Sequence, residues 1–202
     1  MTLALIDTST ANIASVRFAL ERLGVTPILA RDPDEAKDAE KLILPGVGAA
    51  GPAMAALEKS GWAETLRSDT RPLLGVCLGM QLLFEDSAED SGRGGRVPLL
   101  GLIPGSVIRL DPSGSGPWPH MGWNTLDEIA AGEPLTAGIE AGTRMYFVHG
   151  FYVPAGAHTV ASTRYGARIT AIARRGHVAG CQFHPERSGK AGAQVLANFI
   201  KG

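Results

Sequence analysis

Short apolar runs recur along the first half of the chain, separated by stretches of helical spacing. Leu3 to Asp7 reads as a buried strand. Ile13, Val16, Leu20 and Leu23 then repeat on one helix face, with Arg17, Glu21 and Arg22 on the others and Gly24 as a stop. A second strand over Pro27 to Ala30 precedes a polar, helix-like stretch from Asp32. The third strand, Lys41 to Leu44, runs into Pro45-Gly46-Val47-Gly48. The fourth, Pro72 to Val76, ends at Cys77 and gives way to an apolar helix over Leu78 to Phe84. Strands without polar alternation, interleaved with helices, predict a parallel sheet covered on both faces.

The pattern changes in the middle. Ser87 to Pro98 is rich in glycine and charge, and Asp111 to Pro119 is a turn-rich loop. Strand-like pieces with short connections follow over Met145 to Val148, Thr159 to Thr163, Arg168 to Ala173 and Val178 to Phe183. A closing helix is predicted from Gly189 to Ile200, with Ser188 as its N-cap. There is no internal repeat. The expected fold is a single three-layer α/β domain over residues 1–202: a mixed, mostly parallel central sheet, helices on both faces and a few antiparallel added strands.

Composition narrows the function classes. The 202 residues are 45% hydrophobic and 19% charged, which suits a soluble domain with a sizeable core. Nineteen basic against twenty acidic residues, without blocks of like charge, argue against nucleic acid or an acidic membrane as partner. The N-terminus lacks the basic start and cleavage site of a signal peptide, and no apolar run is long enough to span a bilayer, so the expected location is cytoplasmic. In that compartment Cys77 and Cys181 stay reduced. Cys181 and His184 form one close pair with no second pair at ligand spacing, so no metal is expected, and no cofactor.

Three segments carry candidate chemistry. Gly75-Val76-Cys77-Leu78-Gly79 has the nucleophile-elbow pattern with cysteine in place of serine. Small residues two before and two after let the backbones crowd at a sharp strand-to-helix turn. The amide of Leu78 at the helix start can face an oxyanion, and the positive end of the helix favours a thiolate. Cys181 has no such setting and reads as core. In His184-Pro185-Glu186, residues two apart on an extended backbone share a face, so the carboxylate can hold one imidazole nitrogen and leave the other for a nucleophile. An H-x-E pair alone is weak evidence, but beside an elbow cysteine it suggests a Cys–His–Glu triad. Pro45-Gly46-Val47-Gly48 sits where a parallel sheet collects ligands, at a strand's carboxyl end, and fits either a substrate-binding turn or an ordinary one.

These residues resemble the class I glutamine amidotransferases. Gly75 to Gln81 and His184-Pro185-Glu186 are similar to that family's two signatures. Leu44 to Gly48, Pro119-His120-Met121-Gly122-Trp123-Asn124, Tyr146 to His149 and Gln182 to Ser188 narrow the likeness to the glutaminase subunits of imidazole glycerol phosphate synthase in histidine biosynthesis. The resemblance runs from Ile6 to the C-terminus, and the P-H-M-G-W-N segment is its specific part.

It implies a glutaminase domain over residues 1–202 in which Cys77 attacks the carboxamide carbon of glutamine. His184 protonates the departing ammonia, Glu186 fixes its tautomer, and water releases glutamate from the thioester. Val47 and Leu78 amides would hold the oxyanion, each worth roughly 2.7–4 kcal/mol. Glutamine would meet Gly46, Gly48, Gln81, Glu89, Gly150 and Phe151. Ammonia would pass to a (β/α)8-barrel cyclase subunit, forming a heterodimer through Asn12, His120, Trp123 and Asn124. Two departures from the family pattern stand out: Asp7-Thr8-Ser9-Thr10-Ala11-Asn12 replaces a glycine-rich turn, and Gly150 stands where a serine is common. Glutaminases of anthranilate, guanylate or pyridoxal phosphate synthesis share the elbow but not P-H-M-G-W-N. A cysteine hydrolase of another substrate would not need Gln81 one helical turn beyond the nucleophile. A binding module would not need the full Cys77, His184 and Glu186 set.

Overall fold

The computed structural model describes residues 1–7, 13–89, 95–111 and 116–202. Its elements in chain order begin with β1 (Leu3–Ile6), α1 (Ile13–Arg22), β2 (Ile28–Ala30), β3 (Lys41–Gly46), α2 (Ala50–Lys59), α3 (Trp62–Ser68), β4 (Leu73–Cys77) and α4 (Leu78–Gln81). Short strands β5 (Asp86–Ser87), β6 (Val97–Pro98) and β7 (Ser106–Arg109) lead to β8 (His120–Thr125), β9 (Glu128–Ile129), β10 (Arg144–His149) and β11 (Phe151–Tyr152). The chain ends with β12 (Thr159–Tyr165), β13 (Ala167–Arg175), β14 (Val178–Cys181) and α5 (Gly189–Lys201).

The main sheet has the order β2-β1-β3-β4-β14-β13-β12-β9. The pairings from β2 through β14 are parallel, and those of β14 with β13, β13 with β12 and β12 with β9 are antiparallel. This is the mixed, mostly parallel sheet the apolar runs predict. The runs lack polar alternation because each strand feeds two cores. In β1, Ala4 and Ile6 pack with Leu57, Trp62 and Leu66 from α2 and α3. Leu3 and Leu5 pack with Val16 and Leu20 of α1 and Val195, Leu196 and Phe199 of α5. Helices therefore cover both faces. Buried Lys41 donates from Nζ to the Phe199 and Ile200 carbonyls at 2.9 and 3.0 Å, closing the end of α5.

Several expectations need correction. The stretch from Asp32 is only a 3-10 turn, Pro33–Ala36, capped by the Asp32 carboxylate accepting from the Glu35 amide. The helix after Cys77 spans Leu78–Gln81 rather than reaching Phe84, and turns follow it. Ser188 makes no side-chain cap on α5. Its hydroxyl donates to the His184 carbonyl at 2.7 Å and accepts from the Tyr146 amide at 2.9 Å, tying the His184 segment to β10. Two further helices form, α2 with Ala50, Ala53, Met54 and Leu57 buried at helical spacing and α3 with Trp62, Ala63 and Leu66 buried. Thr8 to Asn12 lie outside the described residues.

Candidate active site

Cys77 is placed by the crossing of β3, β4 and α4. It is the one described non-glycine residue in the left-handed half of the backbone map, at φ 56° and ψ −113°, a conformation that costs on the order of 1–3 kcal/mol. The turn is held by close backbone approach. A Cβ on Gly75 would lie 2.6 Å from the Gly79 carbonyl oxygen, and one on Gly79 would overlap the Leu44 carbonyl. Because α4 has only four residues, its long-range dipole is small; what it offers are the unpaired first-turn amides beginning at Leu78.

His184 comes from the far side of the sheet's centre, just after β14, which pairs with β4 in register. Its backbone is extended, at φ −94° and ψ 98°, as the following proline requires. Glu186 lies on the 3-10 turn Pro185–Arg187, so the pair meets because the chain turns, not because a strand continues. His184 Nδ1 lies 2.9 Å from Glu186 Oε1, and the two side chains are 12% and 3% exposed. Burial alone would depress the imidazole pKa. The Cys77 sulfur and the Glu186 carboxylate, each by hydrogen bonding and by charge, outweigh burial and hold it up at about 10. A protonated imidazole beside the Cys77 sulfur can hand a proton to a departing amine.

A cavity of about 340 Å³ opens over Cys77 and His184, and Val47, Gly48, Leu78, Gln81, Glu89 and Gly150 are among the residues that line it, as is Phe151. It can hold an amino acid-sized ligand. The structure thus brings together ten of the eleven expected catalytic, oxyanion and ligand residues if Glu186 is counted through its bond to His184. Gly46 is the exception. It borders a smaller cavity of about 170 Å³ on the other side of Val47, and a Cβ there would meet the Gly79 nitrogen at 2.5 Å. Its place is packing against the elbow.

Two of the ligand residues have commitments of their own. Gln81 Nε2 donates to the Phe151 carbonyl at 2.8 Å and to Gln182 Oε1 at 2.9 Å, which leaves only its carbonyl oxygen for a ligand. Glu89 is not a solvated loop carboxylate: it accepts from the Ala50 amide at the start of α2 at 2.6 Å, and burial raises its pKa. Sequence reasoning did not single out Gln182, whose amide nitrogen is 4.0 Å from Cys77 Sγ, or Trp118, which lines the cavity mouth. Gln182 directly follows Cys181, the last residue of β14, and opens the segment that carries His184. Cys181 itself is fully buried in the core, and burial raises its thiol pKa well above the ordinary value.

The four expected partner contacts separate. Trp123 is 49% exposed on β8 beside Met121 at 63%, on the outward face of the β8–β10 ribbon. Asn12 lies outside the described residues. His120 is buried rather than on the surface, stacked between Phe147 and Tyr165. Asn124 turns its amide inward to His120 Nε2 at 3.2 Å and the Arg164 carbonyl at 3.0 Å. The direction of this chain of bonds follows from its end. The Phe151 carbonyl can only accept, so His149 Nδ1 carries a proton and donates to it at 2.9 Å. His149 Nε2 then accepts from His120 Nδ1 at 2.9 Å, and both rings are neutral.

Burial lowers the His120 pKa to about 4, and burial with the nearby His120 and His184 lowers that of His149 to about 3. Both folded values lie below the unfolded value near 6.5, so the unfolded chain takes up protons first as pH falls. Their contribution to stability is complete above pH 6.5 and is lost towards pH 3–4, on the order of 1.4 kcal/mol per pH unit for each ring. His184 has the opposite sign: its contribution is complete below pH 6.5 and fades as pH rises towards 10. Urea unfolding midpoints should therefore fall steadily from pH 6.5 to 4.5. A midpoint that is flat over that range would contradict the neutral pair.

The family described as glutamine amidotransferase class-I matches residues 4–202. The chain is 50% identical over 198 residues to imidazole glycerol phosphate synthase subunit HisH of Xylella fastidiosa strain Temecula1, covering 98% of this chain and 96% of that one. It is 45% identical over 201 residues to the subunit of the same name from Yersinia pseudotuberculosis, covering 100% of both. Among solved structures, a glutamine amidotransferase superposes with a TM-score of 0.74 at 18% identity, covering 100% of this chain and 98% of that one. PurLQS from Thermotoga maritima superposes at 0.71 with 22% identity, covering 99% and 97%. These last two speak for the fold alone.

Proposed function

The chain belongs to the class I glutamine amidotransferase family, and from that premise we propose that it is the glutaminase subunit of imidazole glycerol phosphate synthase in histidine biosynthesis. It hydrolyses glutamine to glutamate and passes ammonia to a (β/α)8-barrel cyclase subunit, which makes imidazole glycerol phosphate and an aminoimidazole carboxamide ribonucleotide. The observation that carries the reading is Cys77 strained at the elbow, next to a His184 that Glu186 holds, both at a cavity of about 340 Å³ that Gln81 and Glu89 also line.

The roles follow from the geometry. Cys77 Sγ, its proton taken by His184, attacks the carboxamide carbon, and the charge on the amide oxygen falls to the amides of Leu78 and Val47. His184 delivers a proton to the departing ammonia, and then takes one from the water that cleaves the thioester. Glu186 keeps Nδ1 occupied so that Nε2 faces the sulfur. The Gln81 carbonyl oxygen and the Glu89 carboxylate hold the donor groups of the ligand, with backbone at Gly48, Gly150 and Phe151. Glutamate release should be slow from the isolated chain and faster when the cyclase subunit is added. A chain that releases no glutamate from glutamine in either state would overturn the reading.

The exposed ribbon face offers the docking surface. Met121 and Trp123 stand outward on β8, and Trp123 meets Tyr146 of β10 edge to face at 5.9 Å between ring centres. A half-exposed tryptophan next to an exposed methionine has the composition of an interface centre. Trp123→Ala should weaken binding of the cyclase subunit by at least about 2 kcal/mol in calorimetric titration, while the fold and the Cys77 environment are retained. Unchanged affinity would place the docking surface elsewhere.

A further inference from the structure

Gly150 and Trp118 make a contact that neither the fold nor the chemistry above requires. Gly150 joins β10 to β11, and its backbone does not lie in the left-handed region that favours glycine. A positive φ is therefore not what selects glycine there. What excludes a side chain is the indole: a Cβ at Gly150 would lie 2.5 Å from Trp118 Cζ2 and 2.9 Å from Cε2. The two positions therefore depend on each other.

The indole is fixed although it is 46% exposed. Its Nε1–H donates to the Gly150 carbonyl at 3.2 Å, and the Arg109 guanidinium lies 5.1 Å from the ring centre. Arg109 in turn sits on β7, paired with Phe151 of β11, so the tryptophan is braced against the same backbone that lines the cavity. Trp118 borders that cavity together with Cys77, Gln81 and Glu89. A large apolar ring left half-exposed and anchored on two sides would be an odd surface residue. At a ligand's edge it removes water from apolar surface on binding.

We propose that Trp118 is a substrate-binding residue: its indole forms the outer wall of the amino-acid site, covering the side-chain methylenes of glutamine, and Gly150 is the position that admits it. This rests on the reading that the cavity takes glutamine. The absence of a side chain at Gly150 then serves affinity rather than chain flexibility, and the wall acts on binding more than on the chemical step.

The test uses the complex with the cyclase subunit and measures glutamate release against glutamine concentration. Trp118→Ala should raise KM about tenfold, equivalent to about 1.4 kcal/mol, with kcat changed no more than about twofold. Gly150→Ala, which leaves the tryptophan in the chain but pushes the indole off its seat, should raise KM in the same sense. The double variant should be no worse than Trp118→Ala alone, because the added methyl acts only through the ring. Thermal melts of each variant separate these effects from misfolding. An unchanged KM in Trp118→Ala, or a full additional loss from Gly150→Ala in its background, would overturn the proposal while leaving the glutaminase reading intact. A wild-type complex that releases no glutamate would overturn both.

Discussion

Cys77→Ala is expected to abolish glutamine-dependent product formation while the complex with the cyclase subunit still consumes added ammonium. Removing the nucleophile of a cooperating set costs as much as removing the whole set, about a million-fold in the best-studied hydrolase. Glutamine turnover should therefore fall below detection. On the proposed function the acceptor chemistry is on the cyclase subunit, so free ammonia bypasses the lesion. The substitution also relieves rather than adds crowding, since Cys77 is buried at a turn where alanine is smaller, so loss of activity should come without loss of fold. The check is product formation with glutamine and with ammonium in parallel. Cys181→Ala is the control: it sits in the core among the side chains packed by α1 and α5, and should lose on the order of 1 kcal/mol of stability but keep glutamine turnover. Wild-type glutamine-dependent rates in Cys77→Ala, or an inactive but folded Cys181→Ala, would show the roles to be reversed.

The second large effect is expected at Gly79. A methyl group there would overlap the Leu44 carbonyl, which belongs to β3, and would press on Pro45 next to it. Neither neighbour is a flexible side-chain end. Both are backbone in a strand paired on each side, β1 on one edge and β4 on the other, so they cannot step aside cheaply. Either α4 lifts away from β3 or the strand order is disturbed; overpacking of this kind costs about 1–3 kcal/mol, occasionally more. In both cases Cys77 leaves the position that faces His184. Gly79→Ala should lose glutamine turnover by at least about 10²-fold, comparable to losing one oxyanion donor, although the nucleophile is still present. Its melting temperature should fall as well. A Gly79→Ala chain with wild-type turnover would show that the elbow does not depend on this close approach.

Much of this arrangement was legible in the residues themselves. Uninterrupted apolar runs such as Leu3–Ile6 and Leu42–Leu44 can be satisfied only by covering both faces of a sheet, and both cores are present. The elbow was legible because its glycines answer a steric demand that follows from the turn alone. Local pattern said less where partners come from afar. His120 lies in a segment that reads as a surface motif, yet its ring is held by Phe147 and Tyr165, residues 27 and 45 positions further along the chain, and nothing in its own neighbours foretells that. Glu89 has the look of a loop carboxylate because Ala50, whose amide it accepts from, is 39 positions away. The helix after Cys77 stops early because Leu99, Leu100, Leu102 and Ile103 fold back to donate their amides to carbonyls of the stretch Leu82 to Glu85. Trp118 was hidden in a loop whose prolines and glycines read only as turn, and its importance emerges from the side chain missing at Gly150.

Labelling Cys77 tests the central claim most directly. A glutamine analogue with an electrophilic carbon in place of the amide carries its reactive atom to wherever the nucleophile attacks. Incubated with the complex and followed by peptide mass mapping, it should modify Cys77 alone, and excess glutamine should slow that modification in step with the loss of glutamate release. Modification of Cys181 instead, or glutamate release that persists after Cys77 is fully labelled, would contradict a thioester mechanism at this cysteine.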